Sequence, residues 1–240
     1  MKFDLKVIVL LFFIVMVVFS SIFSNNRNAS RHVAGVLIDM DDPFGLLTNA
    51  TIKKSINEIE QFQNKKVLLE DVKLSSIETH LNKINGVEQA EVFLYPDGIL
   101  GVSVRSRKPL FQVLDGENYF VDQYGVDIDN ILKFKTEIPK YLGSMRQENK
   151  LEITKLFQCL LQDDFLSKEL DWISEESGQY KMKMKSYPFE IFLGSNKNLR
   201  NKLGKLKVFC VYYTSKPRMK DYQEINLEYN NQVLVKNQNG

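Results

Sequence analysis

The sequence predicts an α+β protein, with one apolar helix near the start of the chain and two small domains behind it. Three observations lead to this prediction: an unbroken apolar run, a strand–helix–helix–strand–strand pattern after it, and a longer stretch of alternating strands with two helices. The chain has 240 residues, of which 44% are hydrophobic and 26% are charged. This length has room for an anchor and one or two small globular domains.

The unbroken apolar run is Val7–Phe19, and it is extended by Ser20-Ser21-Ile22-Phe23, so that residues 7–23 contain no charged side chain. At ~1.5 Å per residue, a helix of this length reaches roughly 26 Å, slightly short of a ~30 Å hydrocarbon core. Lys6 can snorkel at one end, and Ser24 can extend the helix at the other. We therefore expect residues 7–23 to form a transmembrane helix, between a short tail (1–6) and a polar linker (24–31).

A cleaved signal peptide is the main alternative, because Lys2 and Lys6 form a short basic region before the run. The run is longer than the usual apolar region of about 7–15 residues, and Phe19–Ser24 is a poor cleavage site. A buried core helix is a third alternative. The positive-inside rule separates the two orientations only weakly. Since short N-terminal tails tend to stay in the cytoplasm, we expect the bulk of the chain outside it.

Charge and composition argue against nucleic-acid binding. The formal net charge is only +2, and basic and acidic residues are interspersed rather than banded. Nucleic-acid binding usually needs a basic patch or stripe. The three lysines of the segment 181–185 (KMKMK) alternate with methionines, which predicts the solvated face of a strand.

The residues that carry chemistry in enzymes form no recognisable site in this sequence. The sequence has no Gly-rich phosphate loop, no GxSxG and no CxxC motif, and neither His32 nor His80 has a metal-ligand partner at helical or hairpin spacing. We therefore predict no catalytic residue, no metal site and no cofactor. Cys159 and Cys210 could pair in an exported domain, although their apolar surroundings favour two buried, unpaired thiols.

The segment after the linker predicts a compact strand–helix–helix–strand–strand unit. A strand is expected over His32–Met40, and Ile52, Ile56 and Ile59 recur at helical spacing after it. The second helix should begin with a capping box formed by Ser75 and Glu78, should have Leu74 as its hydrophobic staple, and should end near Gly86 at the C′ position. Two alternating runs around Tyr95-Pro-Asp-Gly98 then predict a hairpin.

The remaining residues predict a second domain that is mostly strand. A helix is expected over Gln147–Leu161 and a second one with Leu199, Leu203 and Leu206 on its buried face. Strands are expected near Leu170–Ile173, Tyr180–Lys185 and Phe189–Leu193, and a final long strand over Ile225–Lys236.

The order of these segments resembles a POTRA domain, and the whole chain is similar to the bacterial division family FtsQ/DivIB. The block Ile84–Pro109 resembles the part of that family that closes the POTRA fold, and Tyr119–Asp127 resembles its Val-Asp-x-x-Gly hairpin. Ile138–Gly143 resembles the family's Leu-Pro-x-Leu-x-Gly segment. Lys197–Tyr213 and Ile225–Lys236 resemble a Leu-rich passage and the closing strand. The resemblance therefore implies a POTRA-like domain (32–108), a β domain (109–236) and a short tail (237–240).

The resemblance also implies a function. Such a protein is a non-enzymatic inner-membrane scaffold of the divisome, with its N-terminus in the cytoplasm. It recruits small bitopic coiled-coil proteins of the FtsB/DivIC and FtsL type to the septum and links early and late division proteins. Exposed sheet edges suit this role, because a partner strand can add to them through main-chain hydrogen bonds. The partner-binding residues implied by the closing strand are Tyr229, Asn231, Gln232, Val233, Leu234 and Val235.

The sequence departs from the family pattern in the closing motif, where Asn226 and Glu228 stand in place of the usual Asp and Arg. These changes reverse the local charge. Two other functions fit the same sequence: a POTRA-type chaperone module for outer-membrane assembly or secretion, and an exported enzyme of unknown class. Chaperones of that type usually repeat the domain and carry a β-barrel, for which this chain has no room.

Overall fold

The computed structural model describes residues 5–29, 31–63, 67–116, 118–129, 137–215 and 222–237, without the side chains of 5–8, 23–29 and 61. The chain divides into two compact parts, Met1–Arg107 and Lys108–Gly240, which we call the N-terminal unit and the C-terminal unit. Both units mix helices with sheets, so the predicted α+β class is confirmed.

The first helix, α1, runs over Leu5–Ala29 and includes the predicted apolar run. The described side chains of this helix, 9–22, are all exposed. Among the residues that the structure describes, no helix is both long enough and apolar enough to cross a membrane. The structure thus does not support the transmembrane assignment of 7–23, which stays a prediction from the sequence.

The rest of the N-terminal unit has the predicted order of elements. Strand β3 lies in the centre of a three-stranded sheet, parallel to β1 and antiparallel to β2. The core consists of apolar side chains from α2, α4 and the inward face of the strands, among them Ile52, Ile77 and Val102. The elements are β1 (Gly35–Asp41), α2 (Asn49–Glu58), the short α3 (Glu60–Gln63), α4 (Leu74–Leu81), β2 (Val87–Leu94) and β3 (Ile99–Ser106).

The predicted capping of α4 is wrong. Lys73 occupies the N-cap, where its side chain makes no capping hydrogen bond, and Ser75 lies inside the helix. The carboxylate of Glu78 instead accepts a hydrogen bond from the backbone N–H of Val92 at 2.9 Å, so it joins the helix to β2. A hydrogen bond to a residue fourteen positions further along the chain thus replaces the expected local cap. Gly86 has φ +93° but lies beyond the end of the helix, in the turn that leads to β2.

The hairpin between β2 and β3 is confirmed. Gly98 has φ +89°, a conformation that glycine adopts without a steric penalty. Its N–H donates to the carbonyl of Tyr95 at 2.9 Å, and the N–H of Tyr95 donates to the carbonyl of Ile99 at 2.9 Å. The Asp-Gly signal therefore identified both the turn and the strand pairing.

The C-terminal unit is a nine-stranded sheet with helices packed against it, in the strand order β12-β11-β10-β9-β8-β7-β4-β5-β6. The two predicted helices are confirmed as α5 (Gln147–Leu161) and α7 (Leu199–Ser215), and a four-residue helix, α6 (Leu166–Glu169), lies between them. The strands are β4 (Pro109–Leu114), β5 (Tyr119–Asp122), β6 (Asp127–Asp129), β7 (Lys140–Leu142), β8 (Leu170–Glu176), β9 (Gln179–Met184), β10 (Glu190–Gly194), β11 (Tyr222–Asn226) and β12 (Leu234–Asn237).

The core of this unit forms where α5 and α7 cover the sheet. The rings of Phe111 and Phe157 stack at 4.1 Å between centroids, and both side chains are fully buried. Met182 and Met184 are fully buried as well, so the predicted alternation of the 181–185 strand is confirmed. The aspartate of the Val-Asp-x-x-Gly segment, Asp122, is buried and accepts the N–H groups of Tyr124 and Val126 at 2.8 Å each.

The two cysteines differ in environment. Neither forms a disulfide. Cys210 is buried as expected, and burial is the largest factor that raises the pKa of its thiol, to about 11. The expected burial of Cys159 is wrong, because it lies on the side of α5 that faces away from Phe157 and Leu160. Because its pKa is raised, the Cys210 thiol is neutral at ordinary pH.

Replacing Phe157 by alanine should destabilise the C-terminal unit by about 3–5 kcal/mol, because it removes a stacked ring and leaves a cavity. Leu151→Ala, on the exposed side of the same helix, should change stability by less than about 0.5 kcal/mol. The only tryptophan of the chain, Trp172, lies in β8, so its fluorescence during guanidinium unfolding reports on this unit alone. Equal midpoints for the two variants would contradict the packing described.

Candidate partner-binding surface

The chain reverses direction inside the segment predicted to be the closing strand. Strand β11 ends at Asn226, the chain turns at 229–231, and β12 begins at Leu234 and runs antiparallel to β11. The prediction of one continuous strand over 225–236 is therefore wrong. Asn231 has φ +58°, a left-handed conformation that asparagine tolerates better than most residues. The polar run 229–232 is thus a turn between two short strands.

The reversal places β12 at the edge of the nine-stranded sheet. It pairs with β11 on one side, and within the described ranges no strand pairs with its other side. The side chains of β12, including Leu234 and Val235, are exposed. An edge of this kind presents free N–H and carbonyl groups that can bond to an added strand.

The direction of each backbone group in β12 follows from the neighbouring strands. The N–H of Leu227 donates to the carbonyl of Phe192 in β10 at 3.0 Å. Because consecutive residues of a strand point to opposite edges, the backbone groups of Asn226 face β12. Its register partner Leu234 therefore faces β11, and the N–H and carbonyl of Val235 face the open edge.

Lys205 of α7 fixes the turn between the two strands. Its ammonium donates to the carbonyl of Leu227 at 2.7 Å, to the carbonyl of Tyr229, and to the carbonyl of Gln232 at 3.4 Å. These carbonyls have no strand partner in a turn, so one cation takes the place of several ladder bonds. The side chain of Tyr229 points outward and is exposed.

Beside the turn lies an apolar groove of about 560 Å³ between α7 and residues 231–233. Its helix side is formed by Val208, Phe209 and Tyr212, and Val208 is 71% exposed. An exposed apolar surface next to an open sheet edge suits a protein partner. The groove and the open edge together form what we call the C-terminal edge surface.

The six predicted site residues divide among three positions in this surface. Tyr229, Asn231 and Gln232 lie in the turn, and Val233 is half-buried against the core. Only Leu234 and Val235 lie in the edge strand.

Sequence reasoning missed Lys205, Val208 and Tyr212. A signal for the two apolar residues was present, because α7 carries apolar side chains outside the buried stripe of Leu203 and Leu206. Nothing in the local sequence indicates that Lys205 reaches carbonyls more than twenty residues away.

The changed charge at Glu228 lies on an exposed residue next to the end of β10. Its carboxyl group lies against Gly194, where a β-carbon would come within 2.9 Å of it. Nearby, Lys202 is only 5% exposed and its ammonium donates to the carbonyls of Leu193 and Ser195 at 2.7 Å each. Burial lowers the pKa of Lys202, and the negative charge of Glu228 opposes that shift.

The surface contains no cluster suited to metal binding. Throughout the part of the chain that the structure describes, no group of three His, Cys, Asp or Glu side chains could hold a metal ion. The C-terminal edge surface offers backbone hydrogen bonding at β12 and apolar contact in the groove.

Comparison with known proteins identifies the family of the C-terminal unit. No curated protein matches the chain. The family model described as FtsQ/DivIB, C-terminal related, matches residues 108–235, which is more than half of the chain and lies within the C-terminal unit. The chain therefore belongs to the FtsQ/DivIB family.

Proposed function

We propose that this protein is a membrane-anchored, non-enzymatic scaffold that recruits small bitopic coiled-coil proteins of the FtsB/DivIC and FtsL type to the division septum and links early and late division proteins. Membership of the FtsQ/DivIB family indicates a role in cell division. The observation that carries the finer proposal is the open edge of β12 beside the apolar groove on α7.

The C-terminal edge surface supports a two-part mode of binding. An extended segment of the partner adds to β12 through main-chain hydrogen bonds, starting from the outward N–H and carbonyl of Val235. An apolar side chain of the same partner fills the groove beside Val208 and Tyr212. The backbone bonds give affinity for any extended segment, and the groove selects among segments.

Two further parts of the proposal concern the N-terminal unit. Residues 7–23 anchor the chain in the inner membrane with the N-terminus in the cytoplasm, which is supported by the uncharged apolar run and by the exposure of side chains 9–22. The strands and helices after it form a POTRA domain, which is supported by the order β1-α2-α4-β2-β3 and by the central position of β3.

The anchor can be tested by fractionation of the full-length chain. The protein should stay in the membrane pellet after a carbonate wash, because the apolar residues of 7–23 bind lipid far more strongly than ionic contacts do. Mass spectrometry of the purified protein should find residues 7–23 still attached. Release by carbonate, or a mature chain that begins after Ser20 or Ser24, would contradict the anchor.

Proline at position 235 should weaken partner binding strongly without unfolding the sheet. Val235→Pro removes an N–H that faces the open edge, where a proline is tolerated by the protein's own ladder. Co-purification of the FtsB/DivIC-type and FtsL-type partners should fall by about tenfold or more. The matched control is Val235→Ala, which keeps the N–H and should bind within about threefold of the wild type.

Leu234→Pro completes this comparison, because the N–H of Leu234 faces β11. It should unpair β12 and raise hydrogen exchange over 222–237, whereas Val235→Pro should leave exchange in β11 unchanged. Unaltered binding by Val235→Pro would move the partner site away from this edge.

Lys205→Met should weaken partner binding by roughly tenfold, since the turn at 227–232 loses the cation that holds it and must be ordered on binding. Hydrogen exchange at 227–233 should rise in the same variant. Lys207→Met is the matched control, because Lys207 lies on the same helix but pairs with Asp163. Equal binding by both variants would show that the order of the turn is irrelevant to the partner.

A further inference from the structure

The outer face of the N-terminal sheet, which points away from the core, is divided into an apolar half and an acidic half. The strand register aligns its residues in rows across β1, β3 and β2. The apolar rows are Gly35–Ile99–Tyr95 and Leu37–Gly101–Phe93, and the polar rows are Asp39–Ser103–Glu91 and Asp41–Arg105–Gln89.

In the apolar half, the ring of Phe93 lies flat over Gly101 of the central strand. A β-carbon at position 101 would come within 2.2 Å of this ring, so only glycine allows the arrangement. Phe93 also contacts Tyr95 edge to face at 5.0 Å between ring centroids. Leu37 lies on the other side of Gly101 in the same row.

These apolar side chains remain open to solvent. Leu37 is 56% exposed and Phe93 is 41% exposed. Glycine in the middle of a strand destabilises it relative to residues with a side chain, because more backbone freedom is lost on folding. A flat aromatic surface in the middle of the sheet therefore exists at a cost in stability, and its exposure adds a second cost. Contiguous exposed apolar surface of this kind marks an interaction site.

The charge of the polar half determines which kind of segment can bind to this face. Asp39 and Glu91 flank Ser103 in the row next to the apolar surface, and both carboxylates are exposed. The following row adds Asp41 and one opposing cation, Arg105. Three carboxylates and one guanidinium leave this half of the face negative.

We propose that this outer face binds an amphipathic helix of a partner protein. The apolar side of that helix lies on Leu37, Gly101 and Phe93, and its lysines or arginines lie over Asp39 and Glu91. The surface is separate from the C-terminal edge surface and does not depend on it. The carboxylates argue against an anionic membrane as the occupant. They also argue against a second copy, because two such faces in register would bring acid against acid.

The test uses the full-length chain in detergent micelles and three fluorescent synthetic helical peptides. The first has leucines along one side and lysines at one end, the second has glutamates in place of the lysines, and the third has serines in place of the leucines. Fluorescence polarisation should show the first binding about tenfold tighter than either of the others.

Variants of the face provide the decisive comparison. Leu37→Ser should weaken binding of the leucine–lysine peptide by about tenfold, and Tyr124→Ser, an exposed aromatic of the C-terminal unit, should leave it unchanged. The double variant Asp39→Lys/Glu91→Lys should reverse the preference and bind the leucine–glutamate peptide more tightly. If far-UV circular dichroism shows that this variant is misfolded, Asp39→Asn/Glu91→Gln should still remove the preference for lysine.

Several results would overturn the proposal. Equal affinity for the lysine and glutamate peptides, or undiminished binding by Leu37→Ser, would rule out a basic amphipathic segment. Binding of anionic phospholipid vesicles that Leu37→Ser abolishes would assign the face to a membrane. A concentration-dependent dimer that the same substitution dissociates, measured by analytical ultracentrifugation, would assign it to a second copy of the chain.

Discussion

The C-terminal edge of the sheet depends on two lysines, one turn apart on α7. Lys202 donates to carbonyls at the end of β10, and Lys205 donates to carbonyls of the turn between β11 and β12. A cation as buried as Lys202 is stable only because these carbonyls replace its water. The carbonyls at strand ends lack ladder partners and need donors in return. Helix α7 thereby fixes the position of the last strands, and with them the open edge.

The sequence alone predicts the structure wherever interactions between residues close in sequence determine it. The bounds of α5 follow from its apolar period, and the β2–β3 hairpin follows from Asp97-Gly98 between alternating runs. The same rules failed where a distant group took the place of a local one. Ser75 and Glu78 have the spacing of a capping box, yet the carboxylate of Glu78 bonds to Val92 on a neighbouring strand. Spacing alone cannot reveal such a competitor.

The candidate site was predictable in part for the same reason. The sequence places the binding segment at the end of the chain and includes Leu234 and Val235, which do lie in the edge strand. The turn is harder to predict, because the apolar residues on both sides of 229–232 resemble one long strand. The only local signal for it is the pair Asn230-Asn231, since asparagine is common in turns. The groove on α7 forms only when residues far apart in sequence meet.

The two exposed surfaces recognise partners by different physics. A sheet edge bonds to any extended backbone, so the selectivity of the C-terminal edge must come from side chains around it. Exposed charges of both signs lie near it, Glu228 beside the turn and Lys236 on β12 itself. The edge therefore has no single sign of charge, whereas the outer face of the N-terminal sheet, with Asp39 and Glu91, is mostly negative. The two proposed binding modes also differ in the partner backbone that they require, which is extended at the edge and helical on the outer face, so a segment suited to one surface is poorly suited to the other.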